Sequence, residues 1–269
     1  MLIPLMAENY RLALSEKFSE EEEVDTEDEA RKELLRRKEK RAKIADQYYR
    51  LSMPELRSYE GFLKSLILAA LNRVGVCVIE DFLPETVAEL VKEEIESLFK
   101  TNVSPRQSPK KKTESTFRSD EVIWIGASDS RNVHLKKLNA TFQNIIVPMA
   151  RLPELQHKRF KITHRSHAQI SKFPKSSRTG YKPHIENPNN NGRLLTVAYY
   201  TNKEYSRVED VGLIRFYLKN NTKFIEVEPK FNTAVIYWCD RRVIKEVLPS
   251  HAKDLYHVTS WFFGSYSIT

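Results

Sequence analysis

The 269-residue sequence contains two cysteines, Cys77 and Cys239. They lie far apart and lack the spacing of a zinc or iron–sulfur site. They read as reduced, buried thiols in an intracellular chain rather than as a disulfide framework. No apolar run approaches the length of a membrane span. The opening MLIPLM is too short for the apolar region of a signal peptide and has no basic segment before it. The expectation is a cytoplasmic or nuclear protein with no membrane partner. The net charge is +8, but it falls in local runs, and no helix-turn-helix, zinc-finger or RNP-type pattern accompanies it. A nucleic-acid partner is therefore not expected. There is no internal repeat, and no arginine occurs after Arg242. With 41% hydrophobic and 30% charged residues, the chain suits one large domain with a real core, or two small ones, plus a charged appendage.

That appendage is residues 1–52. Glu20 to Glu29 is almost wholly acidic and Arg31 to Lys43 mostly basic. Acids before bases suit a helix macrodipole, and Glu27–Arg31, Asp28–Lys32, Glu33–Arg37 and Glu39–Lys43 have i,i+4 spacing. A solvated helix or a partly disordered arm is the plain reading, and an electrostatic docking arm the alternative. Residues 53–269 read as one domain. Its first part, 53–157, carries helical support: FLKSLILAALNRVG ends at a glycine, PETVAELVKEEIESLF opens on proline and acids, and Asn132 to Leu152 is one more long helix. VCVIEDFL and EVIWIG read as strands between them, and 101–117 as a polar, basic loop. From 158 onward, short runs rich in β-branched and aromatic residues recur between turn-like clusters: RFKIT, AQISKF, LLTVAYY, LIRFYL, KFIEV, TAVIYW and YHVTSWFF. Many short strands at regular spacing indicate a sandwich or barrel. The fold class is thus α+β, a jelly roll with flanking helices from the N-terminal half.

Within this half, YKPHIENPNNNGR places His184 and Glu186 two residues apart. In a strand they share a face, which supplies two thirds of a 2-His-1-carboxylate iron site. Several segments then match one family in its order and at about its spacing: VGVCVIEDFL, RSDEVIWIG, TGYKPHIENPNNNGR, VAYYTNKEY, EVEPKFNTAVIYWCDRR, KEVLP and VTSWFF. From about Phe62 to the C-terminus the chain resembles the hypoxia-type prolyl hydroxylases. These are iron(II)- and 2-oxoglutarate-dependent dioxygenases on a double-stranded β-helix that hydroxylate a proline in a transcription factor.

The resemblance makes His184 the first iron ligand and puts Glu186 where the family has aspartate, one methylene longer. At the position of the second histidine stands Lys245, in DRRVIKEVLP. A protonated ammonium has donors and no lone pair, and it would have to lose its proton against a reference pKa of about 10.4 to bind metal. His251 or His257 could replace it only by breaking the register of the flanking matches. The 2-oxoglutarate pocket departs as well. The family's arginine, whose fork suits a carboxylate, falls at Asp254 or Leu255. Lys253 is one residue away, a shift that changes the face in a strand. Phe173 replaces a tyrosine, while Tyr200 and Thr259 match. Arg118, Asp120, Trp124, Tyr181, Arg193 and Trp261 match positions near the peptide groove, unless the aromatics are simply core and the arginines surface ion-pair partners.

Two functions follow. In the first, the domain is a catalytically inactive member of the family with no cofactor, binding a peptide or protein that can be a proline-containing segment. A Lys245–Glu186 pair stands in for the metal, unless Lys245 snorkels to solvent. In the second, it is a divergent, working prolyl hydroxylase in oxygen sensing, using Fe(II), 2-oxoglutarate and ascorbate, with Lys253 as the carboxylate clamp. A third possibility is a fold reused for something unrelated, with the charged arm as the interaction element.

Overall fold

The computed structural model describes residues 50–52, 60–101, 106–107, 120–126, 132–150, 160–175, 180–218 and 224–265. The charged arm, apart from Arg50–Ser52, lies outside the described residues. So do Arg118 and most of the polar loop expected over 101–117.

Three helices are described, α1 (Glu60–Arg73), α2 (Glu85–Lys100) and α3 (Val133–Met149). Thirteen strands accompany them: β1 (Arg50–Ser52), β2 (Val76–Glu80), β3 (Arg106–Gln107), β4 (Glu121–Ile125), β5 (Lys161–Arg165), β6 (Ala168–Phe173), β7 (Tyr181–His184), β8 (Arg193–Tyr200), β9 (Ile214–Tyr217), β10 (Phe224–Val227), β11 (Thr233–Trp238), β12 (Ile244–Val247) and β13 (Leu255–Ser265). The major sheet runs β1-β2-β11-β8-β13-β6-β4-β3, with β5 also on β13, and the minor sheet runs β10-β9-β12-β7. This is the double-stranded β-helix with flanking helices that the sequence implies. Two differences stand out. β1 pairs in parallel with Val78–Glu80, inside the stretch read as arm. β12, IKEV, has no place among the expected strand runs.

Period-2 alternation gives each major strand two faces. Tyr199, Trp238 and Ser260 face the helices: Phe82 lies against Phe142 and Tyr199, Trp238 Nε1 donates to the Leu71 carbonyl at 2.8 Å, and Ser260 Oγ donates to Asn139 Oδ1 at 3.0 Å. Their neighbours Tyr200, Tyr237 and Thr259 face the other way, toward the minor sheet, where Phe216 meets Tyr237 at 4.9 Å between centroids. All of these aromatic rings are buried, and each fully buried large apolar side chain is worth about 1.5–3 kcal/mol.

Local chemistry fixes the helix positions. In α2, Ala88, Val91 and Ile95 form a buried stripe at helical spacing. Asn132 precedes α3 but makes no side-chain cap. Instead Glu94 of α2 accepts from the His134 and Leu135 amides at 2.9 Å, satisfying orphan donors and complementing the dipole. α1 gives way to Gly75 at φ +90°, where a Cβ would lie 2.7 Å from Val243 Cγ2. Only glycine fits there.

Asn232 joins the two halves of the domain. It is buried with φ +57°, a conformation asparagine tolerates better than most residues. Its Oδ1 accepts from the Leu83 amide at 2.9 Å and the Tyr199 hydroxyl at 3.0 Å, while its Nδ2 donates to the Leu83 carbonyl at 2.8 Å. Each buried partner left unsatisfied costs about 1–3 kcal/mol. Asn232→Ala is therefore expected to destabilise the domain by several kcal/mol, roughly 2–5 in chemical denaturation. A loss below about 1 kcal/mol would show that the Leu83 and Tyr199 groups find other partners.

Candidate active site

The site forms where the minor sheet meets the inward face of β11 and β13. In the register of β12 and β7, Lys245 is opposite His184, and on its other side it pairs with Phe216 of β9. β7 stops at His184. Glu186 therefore lies past the strand end rather than two residues along one strand, as the sequence spacing suggests. The following NPNNNG segment turns the chain with Asn190 at φ +53° and Gly192 at φ +84°. Asn187 anchors it: its amide donates to the Cys239 carbonyl at 2.8 Å, its Nδ2 to the Arg193 carbonyl at 2.8 Å, and its Oδ1 accepts from the Asn191 amide.

That turn delivers the Glu186 carboxylate into a ring of donors. Tyr237 donates its hydroxyl to Oε1 at 2.8 Å, and Trp261 its indole N–H to Oε2 at 3.0 Å. Lys245 Nζ lies 3.6 Å and His184 Nε2 3.7 Å from Oε1. Arg193 Nη1 is 4.0 Å from Oε2, donates to the Glu186 carbonyl at 3.1 Å and lies over the Trp261 ring at 4.3 Å. The Lys245 and Glu186 side chains are 5% and 9% exposed. Burial alone would push the Glu186 carboxyl up. The imidazole of His184, the Lys245 ammonium and the Tyr237 hydroxyl more than reverse this and hold it well below the usual carboxylate range.

His184 is oriented as a metal-binding histidine would be. Its Nδ1 is 2.8 Å from the Lys182 carbonyl, which can only accept, so Nδ1 donates there and Nε2 is the nitrogen aimed at Glu186, whose charge it answers as the second N–H of the imidazolium. The rest of the set does not suit iron. Both Glu186 oxygens already accept hydrogen bonds, and Lys245, opposite His184, brings an ammonium with no lone pair. Among the described residues, no three His, Cys, Asp or Glu side chains come together to hold a metal. His251 is exposed, its amide bonded to the Asp210 carbonyl. His257 lies against Phe173 and Tyr200, not against His184.

Of the positions that the resemblance assigns to the co-substrate pocket, Asp254 and Lys253 separate from the rest. Asp254 turns outward, accepting from the Lys175 amide at 2.9 Å and pairing with Lys172 at 3.2 Å. Leu255 is the inward residue, opposite Phe173 and clustered with it and Val247. Lys253 is held at the rim by Asp210 at 2.9 Å and by the Lys203 and Glu204 carbonyls, so its ammonium is not directed into the barrel. Tyr200 and Thr259 are buried, and burial pushes the Tyr200 phenol up. The Tyr200 hydroxyl has no hydrogen-bond partner among the described residues.

Of the groove residues, Trp124 is 48% exposed and its ring is 5.8 Å from Trp261. Tyr181 stacks on His184 at 3.6 Å. Asp120 is buried next to β4. Sequence reasoning missed Tyr237 entirely and gave Trp261 only to the groove. The available signal was alternation: pairing with Thr196 on β8 puts both residues on the inward face.

A double-stranded β-helix carrying a histidine and a carboxylate at the mouth of the barrel defines an oxygenase-type fold. Residues 168–263 match the model of the 2OG-Fe(II) oxygenase superfamily. Human prolyl hydroxylase EGLN3 is 30% identical over 207 residues, covering 74% of this chain and 82% of that protein. Human Egl nine homolog 1 is also 30% identical, over 74% of this chain but 46% of its own length, so the chain spans about half of that relative. A solved prolyl hydroxylase from Trichoplax adhaerens, in complex with a hypoxia inducible factor oxygen degradation domain peptide fragment, superposes with a TM-score of 0.67 at 29% identity. That alignment covers 75% of this chain and 89% of the Trichoplax chain. The chain belongs to this prolyl hydroxylase family of 2-oxoglutarate/iron(II) oxygenases. No helix among the described residues is long and apolar enough to cross a membrane.

A depressed carboxyl makes stability depend on pH with a definite sign. The Glu186 contribution is complete above the unfolded carboxyl pKa, about 4.3, and is lost as pH falls below it toward the depressed folded value. Glu186→Gln should destabilise the domain at pH 7 by about 3–5 kcal/mol, because Lys245 is left buried without its counter-charge. The gap between variant and wild type should narrow below about pH 4. Denaturation at several pH values checks this. A gap that stays constant with pH would show that Glu186 is not the titrating group.

Proposed function

We propose that this domain is a prolyl-hydroxylase fold that binds a peptide or protein partner without hydroxylating it. The buried Lys245–Glu186 pair takes the structural place of the iron. The observation that carries this reading is the ammonium 3.6 Å from Glu186 Oε1, opposite His184, in the position where the family's second histidine would present a lone pair. Iron needs two histidines and a carboxylate on one face with positions left open. Here one ligand is a cation and the carboxylate is already engaged by Tyr237 and Trp261. Exposed Trp124, packed near the buried Trp261, and Arg193 over the Trp261 ring still give the mouth an aromatic and cationic character. The Trichoplax relative was solved with a peptide fragment, and a proline-containing segment is the partner class for this chain. The setting is cytoplasmic or nuclear, in a hypoxia-type response.

A second reading is a working, divergent dioxygenase with Fe(II), 2-oxoglutarate and ascorbate. It is favoured by the metal-ready orientation of His184 and by the buried Tyr200 hydroxyl, which a ligand would satisfy.

Thermal melts of the full chain with Mn(II) and 2-oxoglutarate separate the two. A ligand that binds only the folded state stabilises it by RT ln(1 + [L]/Kd). No saturable shift is expected. A saturable shift, followed by conversion of 2-oxoglutarate to succinate, would establish the second reading. In parallel, Lys245→Ala should destabilise by about 3–5 kcal/mol through the abandoned Glu186 charge. An unchanged melting temperature would mean that Lys245 has no structural role.

A further inference from the structure

β13 alternates, and its inward residues are Leu255, His257, Thr259 and Trp261, all buried. Trp261 reaches Glu186, which fixes the parity of the face. Two residues before Thr259, His257 pairs with Ser171 of β6 and Tyr200 of β8. Its imidazole lies between two rings. Phe173 is stacked at 5.7 Å and 16°, and Tyr200 is tilted at 5.6 Å and 36°. Phe173, Tyr200 and Thr259 are three of the residues that family resemblance assigns to the co-substrate pocket. His257 stands in the middle of them. Beyond it, Leu255 closes against Phe173 and Val247 where a cation would be needed.

We infer that His257 is a side-chain plug that fills the co-substrate chamber from within the barrel. The inference rests on the reading that this chamber is the family's co-substrate position and deepens it: a second barrier stands beside the missing cation. Supplying the arginine would not reopen the pocket, because the imidazole occupies the space between the Phe173 and Tyr200 rings.

The test compares full-chain variants for binding of 2-oxoglutarate with Mn(II) by calorimetry. Lys245→His with Leu255→Arg restores a ligand and a carboxylate clamp but keeps the plug. Adding His257→Ala removes it. Saturable binding is expected only in the triple variant, tighter than in the double variant by roughly tenfold or more. Equal binding in the double variant would overturn the plug alone, and so would no binding in a folded triple variant. Binding by the wild type would overturn both the plug and the proposed inactivity. A second measurement does not depend on the triple variant folding. His257→Ala alone should melt lower than wild type, and free imidazole should restore it, with no effect of imidazole on wild type. His257→Phe, which keeps a ring in the chamber, should melt close to wild type. No response of His257→Ala to imidazole would overturn the inference.

Discussion

A buried carboxylate is the constraint on which this domain's interior depends. Glu186 cannot stay ionised inside a β-barrel unless its charge is answered. The answering groups come from both sheets: Tyr237 on β11 and Trp261 on β13 from the major sheet, Lys245 on β12 and His184 on β7 from the minor one. One carboxylate thus pins four strands at the open end of the barrel. Here an ammonium and two neutral donors hold the carboxylate by charge and hydrogen bonding.

The length of Glu186 has a role in this exchange. Aspartate would hold its oxygens close to the histidine. The extra methylene lets the carboxylate reach the indole of Trp261 and the phenol of Tyr237 at ordinary hydrogen-bond distances. Lys245 is also longer than a histidine and extends from the strand opposite. The two substitutions therefore complement each other in reach and in charge. Lysine is the change that needs its partner: an ammonium beside a metal cation would be repelled, whereas beside Glu186 it is attracted.

Much of this was legible in sequence, and the misses have physical causes. The helices and the long strands of the major sheet declare themselves through β-branched and aromatic runs or helical periodicity. The minor sheet does not. In IKEV, alternation would put Ile244 inward and Lys245 outward by polarity, yet Lys245 is 4% exposed and Ile244 is the more exposed of the two. A functional interior inverts the hydrophobic pattern that sequence reading relies on. Glu94 as the cap of α3 was invisible for a different reason. Its amide partners are about forty residues away, and only packing of α2 on α3 brings them together. Lys253 was read as a possible clamp from nearness in sequence. The turn that carries it to Asp210 has no local signature.

The two faces of β13 explain why family membership and activity are separate questions. Val258, Ser260 and Phe262 face the helical layer, where Ser260 bonds Asn139. Those positions, with Tyr199 and Trp238, specify the fold, and substituting them would disturb close-packed contacts across the layer. Leu255, His257, Thr259 and Trp261 face the barrel interior. A match to the oxygenase superfamily over residues 168–263 therefore reports the scaffold. The interior-facing side chains are alternate residues of the same strands, and there Lys245 forms an ion pair with Glu186, Leu255 an apolar contact with Phe173 and Val247, and His257 ring contacts with Phe173 and Tyr200.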